Sequence, residues 1–459
     1  MPDLICISPV DGREYARRSV TSPEEVDRAI GQARRAQLEW ARVPVAERCR
    51  ILSGFIDAMA ALNQEIVPEL AWQMGRPVRY RGELRSLVER VRGMIAAAED
   101  ALAPDSHEGD GATRYVARAP AGLVLVIAPW NYPFLTAANT IVPALIAGNA
   151  ILLKHASQTP LAGERFAQAL AMAGLPDGLF HNLFLSHDAA ARLLGSGLVD
   201  HATFTGSVES GRAIERAAAG SFTSLTLELG GKDPAYVRPD ADIAAAVEGL
   251  ADGACYNSGQ SCCAVERIYV HEAVWRPFLD GFVEAVHRYR LGDPHDPETS
   301  LGPMSSATLA GKVRQQVHEA IAAGAKPHIE PQLFRADAAG SAYLMPQVLT
   351  GVDHGMAVMR EETFGPVVGI MAVKGDVEAL RLMNDSNYGL TASIWTADIG
   401  AAQRLAAEVE AGTVFANRCD YLDPALAWTG LKQSGRGASL GKYGYEAVTR
   451  PKSFHLRSL

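Results

Sequence analysis

The sequence predicts an α/β fold built on parallel sheet, in two successive units. From residue 122 onward, short apolar runs alternate with helical stretches, the pattern of βαβ units. A similar alternation returns between 232 and 420, so a second α/β domain is expected. Length agrees, because 459 residues allow two or three domains with sizeable cores.

In chain order, residues 21–103 read as helices. Ser22 caps, Pro23 takes the first helical position, and Glu25 completes a capping box. Val26, Ile30, Ala33 and Leu38 follow at roughly helical spacing. A polar, glycine-containing turn is predicted over 105–112 and a strand over 113–118, closed by Pro120. Residues 122–128 have the continuous apolar character of a strand buried on both faces. A helix over 136–147, a strand over 150–154 and a helix over 160–173 come next. A further strand, 201–205, runs through Gly206 and Ser207 into a helix from Val208.

Bulk properties narrow the function classes. The chain is 48% apolar and 21% charged, as a soluble globular protein is. A net charge of -9 weighs against nucleic acid or anionic membrane as a partner. The cysteines are Cys6, Cys49, Cys255, Cys262, Cys263 and Cys419, with no Cys-x-x-Cys pair, which suits a reducing compartment. The N-terminus has no basic region ahead of an apolar core, so no signal peptide is expected. The apolar run 141–153 is broken by Pro143, Gly148 and Asn149 and is too short to span a bilayer. Histidines are scattered singly, and no zinc or calcium motif occurs. The expectation is a cytoplasmic protein without a metal site.

Three motifs carry chemistry. Cys262 lies in Asn257-Ser-Gly-Gln-Ser-Cys-Cys-Ala264; an unflanked Cys is by default small core filler, but a thiolate is a strong nucleophile. Glu228 lies in Leu227-Glu-Leu-Gly-Gly-Lys232, where it is either an ion-pair member or a base whose pKa burial raises. Asn131, in Pro129-Trp-Asn-Tyr-Pro133, is either a turn residue or an amide donor at the carboxyl end of a strand. Together with Glu361-Glu-Thr-Phe-Gly-Pro366, these motifs in this order resemble the aldehyde dehydrogenase superfamily, and the resemblance runs through nearly the whole chain.

The resemblance implies a Rossmann-like cofactor domain (1–103 and 121–230), an α/β catalytic domain (231–430) and a small β oligomerisation arm (104–120 and 445–459). It makes Cys262 the nucleophile, Glu228 the general base and Asn131 a donor to the oxyanion, with Cys263 left to packing. NAD or NADP would be held by Lys154, Ser157, Gly206, Ser207, Glu362 and Phe364, with Trp130 beside Asn131. Many NAD-preferring relatives carry Glu where this chain has Ser157, so NADP is expected to be accepted. The implied reaction is oxidation of a small-molecule aldehyde to the acid by a homodimer or homotetramer. The alternatives are coenzyme A-acylating chemistry and a non-catalytic protein on the same scaffold.

Substrate signals are thinner. Relatives specific for succinate semialdehyde often carry Arg six residues before the nucleophile; Tyr256 stands there, which weighs against a carboxylated aldehyde. Arg418 is either a substrate contact near the expected entrance or a surface salt bridge. Tyr132, Phe134, Tyr421 and Trp428 either line an apolar tunnel or fill the core. The adjacent thiols of Cys262 and Cys263 suggest reversible oxidative inactivation.

Overall fold

The computed structural model describes residues 3–107 and 112–457. Ser22 caps the helix Pro23–Trp40 and accepts from the Glu25 amide, while Glu25 returns the bond, so the capping box forms. Ala29, Ile30, Ala33, Gln37 and Trp40 make its buried face; Leu38, expected on that face, is exposed. Helices Val45–Met74 and Leu84–Leu102 follow and pack on each other.

A six-stranded sheet then forms in the order Gly435–Arg436, Ser224–Glu228, His201–Thr205, Leu123–Ile127, Ala150–Lys154, Phe180–Asn182. Its central strands pair in parallel, Leu123 opposite Ala150 and Val124 opposite His201. Leu123–Ile127 and Ala150–Lys154 are buried throughout, the reason both read as unbroken apolar runs. The helix expected to begin at residue 136 begins at Pro133. Proline at the first helical position needs no N–H partner, so the helix starts as the turn ends. Phe134 is buried against Phe166 with ring centroids 5.5 Å apart, so it is core rather than tunnel lining.

A seven-stranded sheet follows, in the order Lys326–Pro327, Gln347–Thr350, Val367–Val373, Val265–His271, Asp233–Val237, Thr391–Trp395, Thr413–Ala416. All its pairings are parallel except that of the edge strand Lys326–Pro327. Two separate apolar clusters cover its faces.

The C-terminal segment then returns to the first sheet, where Gly435 lies opposite Glu228. Thr449–Arg457 pairs antiparallel with Ala112–Pro120, and Asp105–His107 completes a three-stranded sheet. Of the predicted turn over 105–112, the part 105–107 is strand and 108–111 lies outside the described residues.

Only four residues separate Ser224–Glu228 of the first large sheet from Asp233–Val237 of the second. Glu228, Lys154 and Thr205 close the carboxyl ends of strands in the first sheet, where α/β ligand sites gather. Cys262 and Phe364 immediately precede strands Val265–His271 and Val367–Val373 of the second.

Candidate active site

The loop that carries Cys262 is held in a costly backbone shape. Asn257, Ser258 and Gly259 all have positive φ, 53°, 57° and 68°. A Cβ on Gly259 would lie 2.4 Å from the Gly365 carbonyl oxygen, so this loop packs directly on the loop after Phe364. A Cβ on Gly231 would lie 2.5 Å from the Cys262 carbonyl oxygen. The glycines of the three motifs are thus places where one backbone passes another.

A buried network fixes the loop from below. Arg76 Nη1 donates to Glu83 at 2.7 Å, Nη2 to the Asn131 carbonyl at 2.6 Å, and Nε to Asn257 Oδ1 at 3.2 Å. Glu83 also accepts from the Phe134 and Leu135 amides at the start of the helix Pro133–Ala147. Arg76 and Glu83 therefore tie Asn131 to the loop that carries Cys262. Sequence reasoning missed both, and no motif around them signals it.

Glu228 is buried at its strand end. Ser439 Oγ donates to Oε1 at 2.5 Å and Thr205 Oγ1 to Oε2 at 3.1 Å. Burial raises its pKa, while these two bonds and the charge of Arg90 oppose the rise. Ser439 was also missed; it arrives from the C-terminal return of the chain, which no local pattern foretells.

Cys263 is buried, and its thiol donates to Asp420 at 2.9 Å. A hydrogen bond to Cys262 and burial both push that thiol well above its ordinary value. Cys262 is partly exposed. All six cysteines are free.

Two cavities meet at this point, because Cys262, Glu228, Thr136 and Thr205 line both. The first, about 250 Å³, is walled by Tyr132, Tyr256, Tyr421 and Trp428, with Arg90, Asp252 and Asp420 among its polar groups. The second, about 560 Å³, runs past Trp130, Asn131, Gly206, Ser207, Glu362 and Phe364. Asn131 Nδ2 donates to the Gln260 carbonyl at 3.1 Å.

The second cavity fits a nicotinamide dinucleotide. Gly206 and Ser207 open onto it at the N-terminus of the helix Val208–Ala218, a ready anion site. Gln316, on its wall, has a buried Oε1 without a partner. Glu362 accepts from the Gly231 amide at 3.0 Å, and burial with nearby Glu266 pushes its pKa up to about 8. Trp130 and Phe364 meet edge to face at 5.6 Å. Glu266 accepts from the Thr363 and Phe364 amides and pairs with Lys232, fixing this loop in a way the motif did not announce.

Other candidates fall elsewhere. Lys154 is buried and Ser157 exposed after its strand, and neither is on the wall of this cavity. Arg418 is exposed, with its guanidinium 3.3 Å over the Tyr421 ring, and it borders a separate cavity rather than the one reaching Cys262. Among the described residues, no group of His, Cys, Asp and Glu could hold a metal ion, and no helix is long and apolar enough to cross a membrane.

The chain is similar to known proteins along nearly its whole length. Residues 2–454 match the model of the aldehyde dehydrogenase family. The chain is similar to Betaine aldehyde dehydrogenase 2 of Rhizobium meliloti (strain 1021), 35% identical over 456 residues, 98% of this chain and 94% of the relative. It is similar to the NADP(+) succinate-semialdehyde dehydrogenase 1 of Mycobacterium tuberculosis (strain ATCC 25618 / H37Rv), 34% identical over 445 residues, 96% of this chain and 97% of the relative. The crystal structure of succinic semialdehyde dehydrogenase from Streptococcus pyogenes, in complex with NADP+, superposes with a TM-score of 0.94 at 26% identity, over 99% of this chain and 100% of that one. With a thiol and a carboxylate where two cavities join, and this likeness along its length, the chain belongs to the aldehyde dehydrogenase family and oxidises an aldehyde to the acid with NAD(P)+.

Proposed function

We propose that the reaction is hydrolytic and passes through an acyl group on Cys262. The observation that carries this reading is that Cys262 and Glu228 share the wall between the two cavities. The Cys262 thiolate attacks the aldehyde carbon and forms a thiohemiacetal. The Asn131 amide and the backbone N–H of Cys262 are the donors for its oxyanion. Nδ2 has two hydrogens, so the bond to Gln260 leaves one for substrate. Bound nicotinamide supplies the two-electron acceptor that leaves a thioester. Glu228 takes a proton from water, the water oxygen adds to the thioester carbon, and the acid departs as the thiol is restored. Acid formation without coenzyme A tests this against the acylating alternative.

The cofactor residues in this reading are Lys154, Ser157, Gly206, Ser207, Glu362, Phe364 and Trp130. Lys154 is buried, and burial lowers its pKa. Near Ser157 no carboxylate of that residue repels a 2′-phosphate, so NADP is expected to be accepted. Turnover with NADP and NAD at matched concentrations checks this; efficient use of NAD with poor use of NADP would contradict it.

We assign residues 1–103 and 121–230 to cofactor binding, 231–430 to the catalytic domain, and 104–120 with 445–459 to an arm that joins subunits into a homodimer or homotetramer. The support is the strand Thr449–Arg457, which lies at the edge of its sheet and is mostly exposed. Free cysteines suit the cytoplasm.

A further inference from the structure

We propose that Arg90 anchors an anionic group at the far end of the substrate, which makes a short ω-carboxylated aldehyde the preferred class. This rests on the active-site reading above.

The helix Leu84–Leu102 buries Leu87, Arg90, Val91, Met94 and Ala98, so one guanidinium stands in an otherwise apolar face. Arg90 is 7% exposed and lines the cavity that reaches Cys262 and Glu228. A cation buried to that degree is normally paired. Among the described residues, Arg90 has no carboxylate within ion-pair distance. Nη1 donates to Asn139 Oδ1 at 3.0 Å and, at 3.4 Å, to the Leu135 carbonyl. Nε is buried with no partner. Among the described residues Nη2 makes no bond and, unlike Nε, is not buried, so it is the guanidinium nitrogen left to donate to a carboxylate in the cavity.

The other arginines nearby cannot serve. Arg76 commits both its Nη atoms and its Nε within the protein. Arg418 borders a different cavity. Of the acids on the same wall, Glu83 is paired with Arg76, Glu89 accepts from Tyr421, and Glu228 accepts from Ser439 and Thr205 and feels the charge of Arg90 without pairing with it. Asp420 already accepts from Ser261 and Cys263, and burial raises its pKa. Burial and neighbouring acids push Asp252 up to about 6. The absence of Arg at position 256 is therefore answered by a guanidinium from another helix.

The test compares the wild type and Arg90→Met on a short ω-oxo carboxylic acid, the n-alkanal of equal length and a quaternary-ammonium aldehyde. The wild type should favour the oxo acid. Arg90→Met should raise KM for it about 10- to 150-fold, the scale for losing hydrogen bonds to a charged group. For the alkanal, KM should change little, any change in kcat from losing the Arg90 charge near Glu228 should be common to all three aldehydes, and Arg90→Lys should recover part of the KM loss. Methionine is apolar and of similar length, so the thermal midpoint should hold or rise, and a folded variant is expected. Glutarate should compete with the oxo acid in the wild type and not in Arg90→Met. Loss of kcat on all three aldehydes with KM for the oxo acid unchanged would overturn the proposal in favour of a purely electrostatic role toward Glu228. Wild-type preference for the quaternary-ammonium aldehyde would overturn it in favour of Asp252 and Asp420. In both cases the active-site reading survives; that reading fails only if the wild type oxidises none of them.

Discussion

At the residue scale, the two adjacent cysteines have opposite fates. Cys263 is buried, bonded to Asp420 and held as a thiol, whereas Cys262 is partly exposed on both cavities. Cys262→Ala should abolish reduced-nicotinamide formation, and Cys263→Ala should retain it; activity in the first variant would displace the nucleophile. Glu228 titrates above the ordinary carboxylate range because it is buried. Its base form therefore accumulates only as pH rises through that raised value, and hydrolysis should climb on the same limb of the kcat profile. Thr205 and Ser439 stabilise the carboxylate, so Ser439→Ala should move the limb to higher pH. A limb unmoved by this change would separate Glu228 from the rate. Cys262 and Glu228 were legible in the sequence as candidates because each sits in a short motif. Arg76, Glu83, Ser439, Glu266 and Arg90 were not, because their roles depend on partners remote in the chain.

At the element scale, the βαβ alternation was readable because parallel strands covered on both faces must be apolar along their length, as 123–127 and 150–154 are. Starts and faces were less readable: the helix at Pro133 begins earlier than its apolar run suggests, and Leu38 faces outward. The loop before Cys262 depends on the Arg76–Glu83 pair beneath it. Breaking a buried pair leaves a lone charge, so Glu83→Gln should cost about 3–5 kcal/mol of stability, read in denaturant unfolding. A change below about 1 kcal/mol would mean the pair is not structural. Gly259→Ala should lose more than about 1 kcal/mol and lower kcat, since it combines positive φ with a backbone neighbour. An alanine variant with wild-type melting and turnover would contradict that account of the loop.

At the scale of the whole molecule, carboxyl ends of strands in the first sheet, at Thr205 and Glu228, and segments just ahead of strands in the second, at Cys262 and Phe364, line common cavities. The three-stranded sheet lends no residue to the walls of these two cavities, and Thr449–Arg457 lies at its edge. Light scattering at micromolar concentration should give a dimeric or tetrameric mass, and deleting that strand should lower it. A monomeric wild type would contradict the assigned role of the arm. The central claim, that water activated by Glu228 frees an acyl group from Cys262, is tested most directly by rapid-mixing kinetics of Glu228→Gln with aldehyde and NADP+, without coenzyme A. The expected trace is a burst of reduced nicotinamide of about one equivalent per active site, followed by a stall, while the wild type turns over steadily. Steady turnover of the variant at the wild-type rate, or a wild type that stalls until coenzyme A is added, would contradict it.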